Sequence, residues 1–297
     1  MDKVFYNEGS AAKLGWTPDW FGCDDFDEDL IDAIIQFQRE HKLAADGLMG
    51  PTTYRRIYNH RVANLDDYQP RSLKENKESF IIYNSDYLKI DWPRVNLFFE
   101  GEGLRLTSGF KKAKQKRSPK FFVCHWDVCL SSHTCFKVLK QRGISVHFAI
   151  DNDGTIYQFM DMNDIAYHAG SRKWNEASIG VEITNAFYPK YQDWYKRKGF
   201  GERPIITDAS VHGKKVEKHL GFYPIQLQAL QALMKAVHTA TGIPLKAPLD
   251  RKGNTSTKVS KPVADGRFEG FVSHYHLTNR KIDCAGLDIK NLLEGIK

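Results

Sequence analysis

The sequence lacks any long run of apolar residues. None of its 297 residues belongs to an apolar stretch of membrane-spanning length. The first residues, Met-Asp-Lys-Val-Phe-Tyr-Asn-Glu, also lack the basic segment followed by an apolar segment that marks a secretory signal. We therefore expect a chain that is made in the cytoplasm without a signal peptide and that does not insert stably into a membrane.

Cysteine is scarce, and its count is odd. A chain that starts in a reducing compartment does not need a disulfide framework, and five cysteines cannot all pair within one chain. We expect the first four to be buried, inert thiols. The five are Cys23, Cys124, Cys129, Cys135 and Cys284.

Acidic residues are under-represented after the first 60 residues. Residues 1–60 contain 6 Lys and Arg against 11 Asp and Glu, a net charge of −5. Subtracting these from the totals of 43 and 36 leaves 37 against 25, a net charge of +12, for residues 61–297. A basic unit of this kind favours an anionic partner, such as a bacterial envelope or a nucleic acid. The six basic residues within 111–120 have no aromatic residues among them for base stacking, so we interpret this run as a solvated loop and expect no nucleic-acid partner.

Residues 1–62 have the pattern of a small helical domain. Apolar residues recur at helical spacing between Asp29 and His41, and the turn Asp46-Gly-Leu-Met-Gly-Pro51 leads into a second helix over Thr52 to Tyr58. The string from Phe37-Gln through Asp-Gly-Leu-Met-Gly-Pro-Thr-Thr resembles the three-helix peptidoglycan-binding domain of cell-wall hydrolases. This resemblance implies that the N-terminal domain binds peptidoglycan.

The rest of the chain predicts an α/β domain with a mixed central sheet and flanking helices. Strands are predicted over Phe121 to Trp126 and Ser178 to Thr184, and helices over Ser132 to Arg142 and after Pro224. Residues 63–95 are predicted to be a polar linker followed by edge strands. The catalytic domain would then span residues 96–297.

Two histidines stand where apolar, strand-like runs end. His125 ends the run from Phe121, and His274 ends the run from Gly270 and precedes Asp283 and Cys284. Two histidines with one carboxylate or thiolate make three protein ligands and leave the fourth position of a zinc ion for water. This number of ligands is typical of a catalytic zinc site.

Five motifs together resemble those of zinc-dependent N-acetylmuramoyl-L-alanine amidases, a superfamily that includes the peptidoglycan recognition proteins. They are His125-Trp126, Ser145 to Gly154, Ala166 to Gly170, Ala177 to Ile183, and His274 through Lys281-Ile-Asp283. The resemblance covers about 115–297. It implies hydrolysis of the amide between muramic acid and L-alanine, with Zn²⁺ as cofactor and peptidoglycan as partner.

The same resemblance implies a role for each site residue. His125 and His274 would bind the metal, Glu182 would transfer protons, and Lys281 would stabilise the oxyanion. Trp126, His168 and Asn185 are predicted to contact substrate. The site would also lack the tyrosine of phage lysozyme-type enzymes, because Val146 occupies its position.

The third metal ligand has two candidates. Asp283 lies two residues after the lysine, as the family pattern requires, and we favour it. Cys284 stands where proline is usual in the family, and the interval from His276 to Cys284 is that of the cysteine-ligand branch. Thiolate sulfur is a good zinc ligand, so Cys284 remains the alternative.

The biological role that we expect is that of a monomeric phage endolysin, which reaches the cell wall after release from the cytoplasm. The alternative is a non-catalytic peptidoglycan-binding protein on the same scaffold.

Overall fold

The computed structural model describes residues 2–64, 75–101 and 103–296. In these residues the α-helices are α1 (Lys3–Leu14), α2 (Glu28–Glu40), α3 (Pro51–Asn64), α4 (Ser132–Arg142), α5 (Arg172–Ala177), α6 (Gln192–Arg197), α7 (Pro224–Thr241), α8 (Lys261–Ala264) and α9 (Ile289–Glu294). The strands are β1 (Ser79–Tyr83), β2 (Asp86–Ile90), β3 (Val95–Leu97), β4 (Phe110–Lys111), β5 (Phe121–Trp126), β6 (Phe148–Ile150), β7 (Ile156–Gln158), β8 (Ile165–Ala166), β9 (Ser178–Ile183), β10 (Ile205–Ile206), β11 (Ser210–Val211), β12 (Lys214–Lys215), β13 (His219–Leu220) and β14 (Gly270–Ser273). Short 3-10 helices lie at Pro18–Phe21, Pro189–Tyr191 and His274–His276.

Helices α1, α2 and α3 form the N-terminal helical unit, as predicted. Aspartate side chains cap the first two helices: Asp2 accepts from the backbone N–H of Phe5 and Asp27 from that of Leu30. Pro51 begins α3, where its missing N–H costs no helical hydrogen bond. Helix α3 continues to Asn64, beyond the predicted end, and its last turn buries Val62.

A six-stranded mixed sheet forms the centre of the second unit, which confirms the predicted α/β class. Its order is β14-β5-β9-β6-β7-β3. The first four strands are parallel to their neighbours, β6 and β7 form an antiparallel hairpin, and β7 pairs in parallel with β3. The carboxyl ends of β14, β5 and β9 therefore meet at one edge of the sheet, where parallel sheets place their binding sites.

The two faces of this sheet are covered differently. Alternate residues of β5 and β9, such as Cys124 and Val181, belong to a large apolar cluster that also contains residues of α7 and α9. Because side chains alternate along a strand, His125 and Glu182 lie on the opposite face. Helix α4 and the N-terminal helical unit cover part of this second face.

The helical unit and the sheet unit share one apolar core. A single cluster of buried side chains contains Trp16 and Phe37 from the helical unit together with Leu139 and Phe159 from the sheet unit. Arg56 of α3 stacks on the ring of Tyr188, with its guanidinium carbon 3.7 Å from the ring centroid. The N-terminal helices are thus part of the same packed body as the sheet.

The predicted linker lies partly outside the described residues, which omit 65–74. The predicted edge strands correspond to β1, β2 and β3. Strand β3 is the edge strand of the central sheet, whereas β1 and β2 pair with each other in a separate two-stranded sheet. The assignment of 1–62, 63–95 and 96–297 to separate domains stays a prediction.

The basic run at 111–120 is mostly solvent-exposed, as predicted, with one exception. Arg117 is half-buried and donates hydrogen bonds to the backbone oxygens of Met162, Asn163 and Glu176. This arginine therefore has a structural role. In the part of the chain that the structure describes, no helix has both the length and the apolar character needed to cross a bilayer.

Replacing Phe37 tests the shared core. Phe37 is 8% exposed and Phe5, in the same helical unit, is 74% exposed. We expect Phe37→Ala to lower the free energy of unfolding by about 3–5 kcal/mol, because it leaves a cavity in the core. The control Phe5→Ala should change it by less than about 0.5 kcal/mol. Urea unfolding followed by circular dichroism measures both, and the shared core requires a single transition that shifts as a whole. Two separate transitions, only one of which moves, would contradict it.

Candidate metal centre and cleft

Strand pairing brings the predicted site residues to one edge of the sheet. His125 of β5 lies directly opposite Glu182 of β9 in the parallel register. On the other side of β5, Ser273 pairs with Cys124, and His274 follows at the end of β14. These three side chains come from sequence positions up to 149 residues apart.

His125, His274 and Asp283 converge on one point. The two Nδ1 atoms are 3.0 Å apart, and Oδ2 of Asp283 is 3.1 Å from Nδ1 of His125 and 3.0 Å from Nδ1 of His274. All three side chains are buried, and their ligand atoms lie within 4.8 Å of one another. Such a group of two imidazoles and one carboxylate could hold a metal ion.

The structure does not bring the alternative ligand to this point. Cys284 is fully buried in the apolar cluster on the other face of the sheet, in the same cluster as Cys124. His276, whose spacing suggested the cysteine branch, has its Nε2 2.7 Å from the backbone oxygen of Ser256, and its Nδ1 accepts from the N–H of Ser273. Cys284 therefore packs in the apolar core, and both ring nitrogens of His276 are hydrogen-bonded to backbone atoms.

His125 is held in orientation by His168. Nε2 of His125 is 2.9 Å from Nδ1 of His168, whose Nε2 is 3.1 Å from the hydroxyl of Ser178. A Cβ atom on Gly180 would lie 2.6 Å from the ring of His168, so only glycine permits this packing against β9. His168 also lines the cleft, and its predicted contact with substrate stays a prediction.

Burial favours the neutral form of His125. Burial, with the neighbouring His274 and Lys281, lowers the pKa of His125 to about 4, although the hydrogen bond to Asp283 acts in the opposite direction. Burial alone would raise the pKa of Asp283, but the two histidines that face it hold this pKa well below its ordinary range. A neutral imidazole beside an ionised carboxylate is the state that binds a metal cation.

Glu182 has a free acceptor atom at the bottom of the cleft. Its Oε2 is buried and has no hydrogen-bond partner in the described part of the chain. Burial raises the pKa of Glu182 well above its ordinary range, and the charges of Asp127 and Asp283 add to this, whereas Arg55 and Lys281 lower it. A carboxyl with a raised pKa in a cleft is a candidate for proton transfer.

A cavity of about 400 Å³ surrounds these groups. Its walls come from the sheet edge, from α4 and from helix α3 of the N-terminal helical unit. The contribution of α3 was not predicted, because no local pattern in residues 51–64 indicates which part of the sheet unit they contact. The residues that line the cavity include Thr52, Arg55, Trp126, Leu139, Arg142, Tyr167, His168, Asn175, Glu182, His274, Lys281 and Asp283.

The structure does not place Asn185 in the cleft, where the sequence predicts a substrate contact. Asn185 is fully buried, and its amide nitrogen donates to the backbone oxygens of Leu220 and Gly221 at 2.8 and 3.1 Å. Its Oδ1 accepts from the N–H of Phe187. The motif places Asn185 just after β9, but the backbone turns there, so the amide closes a loop and does not face substrate.

A profile of the N-acetylmuramoyl-L-alanine amidase family matches residues 115–284, which is more than half of the chain. The chain belongs to this amidase family. A second profile, described as "Putative peptidoglycan binding domain", matches residues 12–57 in the N-terminal helical unit. Both matches agree with the two resemblances seen in the sequence.

Individual relatives are more distant. The amidase is 35% identical over 74 residues to the "Putative N-acetylmuramoyl-L-alanine amidase RC0497" of Rickettsia conorii, an alignment that covers 23% of this chain and 28% of the relative. The chain thus spans about a quarter of the length of that curated relative. Among solved structures, an AmpD derivative is 17% identical with a TM-score of 0.36, covering 67% of this chain and 98% of that one. A mutant endolysin from Bacillus subtilis is also 17% identical with a TM-score of 0.36, covering 69% and 99%. The family assignment rests on the profile match.

Replacing Asn185 should affect stability. Asn185→Ala removes the amide that the backbone oxygen of Leu220 and the N–H of Phe187 bond to, whereas the oxygen of Gly221 keeps its bond from Arg203. We expect this substitution to lower the free energy of unfolding by about 1–3 kcal/mol. The control is Asn291→Ala at an exposed position of α9, with an expected change of less than about 0.5 kcal/mol. Urea unfolding measures both variants. A substrate contact would instead give a higher KM for Asn185→Ala with unchanged stability.

Proposed function

We propose that this chain hydrolyses the amide bond between N-acetylmuramic acid and L-alanine in peptidoglycan, with a zinc ion held by His125, His274 and Asp283. One observation carries the proposal. In a chain of the amidase family, a metal-binding triad and a carboxyl with an unpartnered oxygen, Glu182, open into the same cavity.

The triad fits a zinc ion. Ligand atoms about 2.0–2.1 Å from zinc in a tetrahedral arrangement lie about 3.3 Å from each other. The three ligand atoms here lie 3.0 to 3.1 Å apart, so a small outward shift accommodates the ion. On the far side of the ring, Nε2–H of His125 can donate to Nδ1 of His168, which is the kind of support that metal-binding histidines usually have. Zinc, when bound, would lower the pKa of a water ligand from about 15.7 to about 7.

Glu182 is the proposed proton carrier. Its unpartnered Oε2 can accept a proton from the attacking water, and the environment that raises its pKa then allows the same group to give the proton to the leaving amine. An amine leaves readily only when it is protonated, so this second transfer is as necessary as the first.

Lys281 is the proposed partner of the carbonyl oxygen. It lines the cavity and is exposed, and it lies two residues before Asp283. An ammonium group at that position can stabilise the negative charge that develops on the oxygen as the amide is attacked. Trp126 lines the same cavity and is the remaining proposed substrate contact.

The biological setting that we propose is bacteriolysis by an endolysin-type enzyme. The profile match of residues 12–57 supports binding of the N-terminal helical unit to peptidoglycan. The net charge of +7 supports association with an anionic envelope. In this setting the enzyme acts on the cell wall as a monomer.

Metal content tests the ligand set. Wild type should bind about one zinc ion per chain, and Asp283→Ala should lose it, because two imidazoles alone bind zinc weakly. The adjacent substitution Cys284→Ala is the matched control and should keep the metal. Elemental analysis after gel filtration measures all three proteins. Loss of zinc from Cys284→Ala with retention by Asp283→Ala would reverse the assignment.

Activity of a Glu182 variant tests the proton carrier. Glu182→Gln keeps the shape of the side chain but cannot take a proton, so kcat should fall by about 10²–10⁴-fold while zinc content is unchanged. Release of L-alanine amino termini from purified cell walls measures the reaction. A wild-type protein that binds zinc and cell walls but releases no amino termini would be a binding protein, which is the alternative function.

A further inference from the structure

Two arginines from different parts of the chain line the cleft. Arg55 belongs to α3 of the N-terminal helical unit, and Arg142 is the last residue of α4. Both border the cavity that contains His125 and Glu182, and both are half-buried. The helical unit therefore forms one wall of the catalytic cleft.

Neither guanidinium forms an ion pair within 4.0 Å in the described residues, and the single carboxylate of Glu182 is a more distant charge that acts on both. The neighbouring Arg56 shows the contrast: it stacks on the ring of Tyr188 and donates to its hydroxyl at 2.5 Å. Likewise, the buried Arg203 donates to the backbone oxygens of Gly221 and Thr184. Partly burying an unpaired charge is unfavourable. Two partly buried guanidinium groups on one side of a cavity therefore suggest that an anionic group of a ligand binds between them.

The position of Arg55 is fixed by the packing of α3. Tyr54 and Ile57, on either side of it along the helix, are buried in the core shared with the sheet unit. The side-chain amide of Asn59 also donates a hydrogen bond to the backbone oxygen of Val128, next to the cleft, and this bond helps to hold the helix in place. Arg55 is thus carried on a rigid element and does not depend on a mobile loop.

The two guanidinium groups on this side of the cavity indicate which kind of ligand would bind there. Planar guanidinium groups pair with carboxylates through two parallel hydrogen bonds. The N-terminal turn of α3 also faces the cavity through Thr52, and the positive end of a helix dipole adds to the same potential. In peptidoglycan the carboxyl of muramic acid is consumed in the amide that is cut, so the free carboxylates lie on the peptide side of that bond.

We propose that Arg55 and Arg142 form a carboxylate-binding subsite for the peptide part of the substrate, and that the N-terminal helical unit thereby supplies a specificity-determining residue to the cleft. This inference rests on the proposed amidase function. It gives the helical unit a role in substrate recognition, in addition to the proposed attachment to the bacterial cell wall.

The test compares two substrates that differ only in charge. Purified cell walls are used as such or after conversion of their free carboxylates to carboxamides. Wild type should cleave the untreated walls faster. Arg55→Gln should lower kcat/KM on untreated walls by about tenfold or more, because a charge-assisted pair is lost, and should leave the rate on amidated walls nearly unchanged. Arg55→Lys should recover part of the loss.

Arg61→Gln is the matched control. Arg61 lies on the same helix but stacks over Trp20, outside the cleft, so both substrates should be cleaved as by wild type. Equal losses for Arg55→Gln on both substrates, with a shifted pH profile, would mean that Arg55 acts on Glu182 and would overturn the subsite. An unchanged kcat/KM of Arg55→Gln on untreated cell walls would overturn the subsite as well. A wild type that cleaves neither substrate refutes the proposed function itself, which is a distinguishable result.

Discussion

Parallel pairing of β5 with both β14 and β9 is the constraint on which the cleft depends. One register sets His125 opposite Glu182, and the other brings the end of β14, and with it His274, alongside His125. The alternation of side chains then puts the apolar residues of these strands into the core with α7 and α9 and leaves the polar ones on the other face. A slip of one residue in either strand would exchange the two sets.

The cleft concentrates polar groups that a protein interior normally excludes. Each member of the triad has a polar neighbour within hydrogen-bond distance: His168 contacts His125, and both His125 and His274 face Asp283. Among the described residues, Oε2 of Glu182 has no hydrogen-bond partner, and Arg55 and Arg142 form no ion pair. A catalytic cleft is where unsatisfied groups of this kind are expected, since reacting and recognised groups of the substrate complete them.

The extent of prediction from sequence differs between the parts of the site. Strand-like runs that end in histidine located His125 and His274, because a strand delivers its last side chain predictably. Asp283 is favoured over Cys284 from its spacing to Lys281, because these neighbours lie in an irregular loop where no periodicity tells which side chain turns inward; the structure groups Asp283 with the two histidines. The burial of Asn185 in a turn after β9 was not predicted for the same reason. Arg55 and the packing of His168 on Gly180 depend on tertiary docking, for which the sequence contains no local signal.

The order of the strands in the chain has a consequence during synthesis. The interior strands of the sheet, β5, β6, β7 and β9, are complete once residue 183 has been made, but β14 and Asp283 come about 90 to 100 residues later. A nascent or truncated chain that ends before β14 contains His125 and Glu182 but neither of the other two members of the triad. The group of three potential metal ligands at the cleft is therefore complete only after β14 and Asp283 have been synthesised.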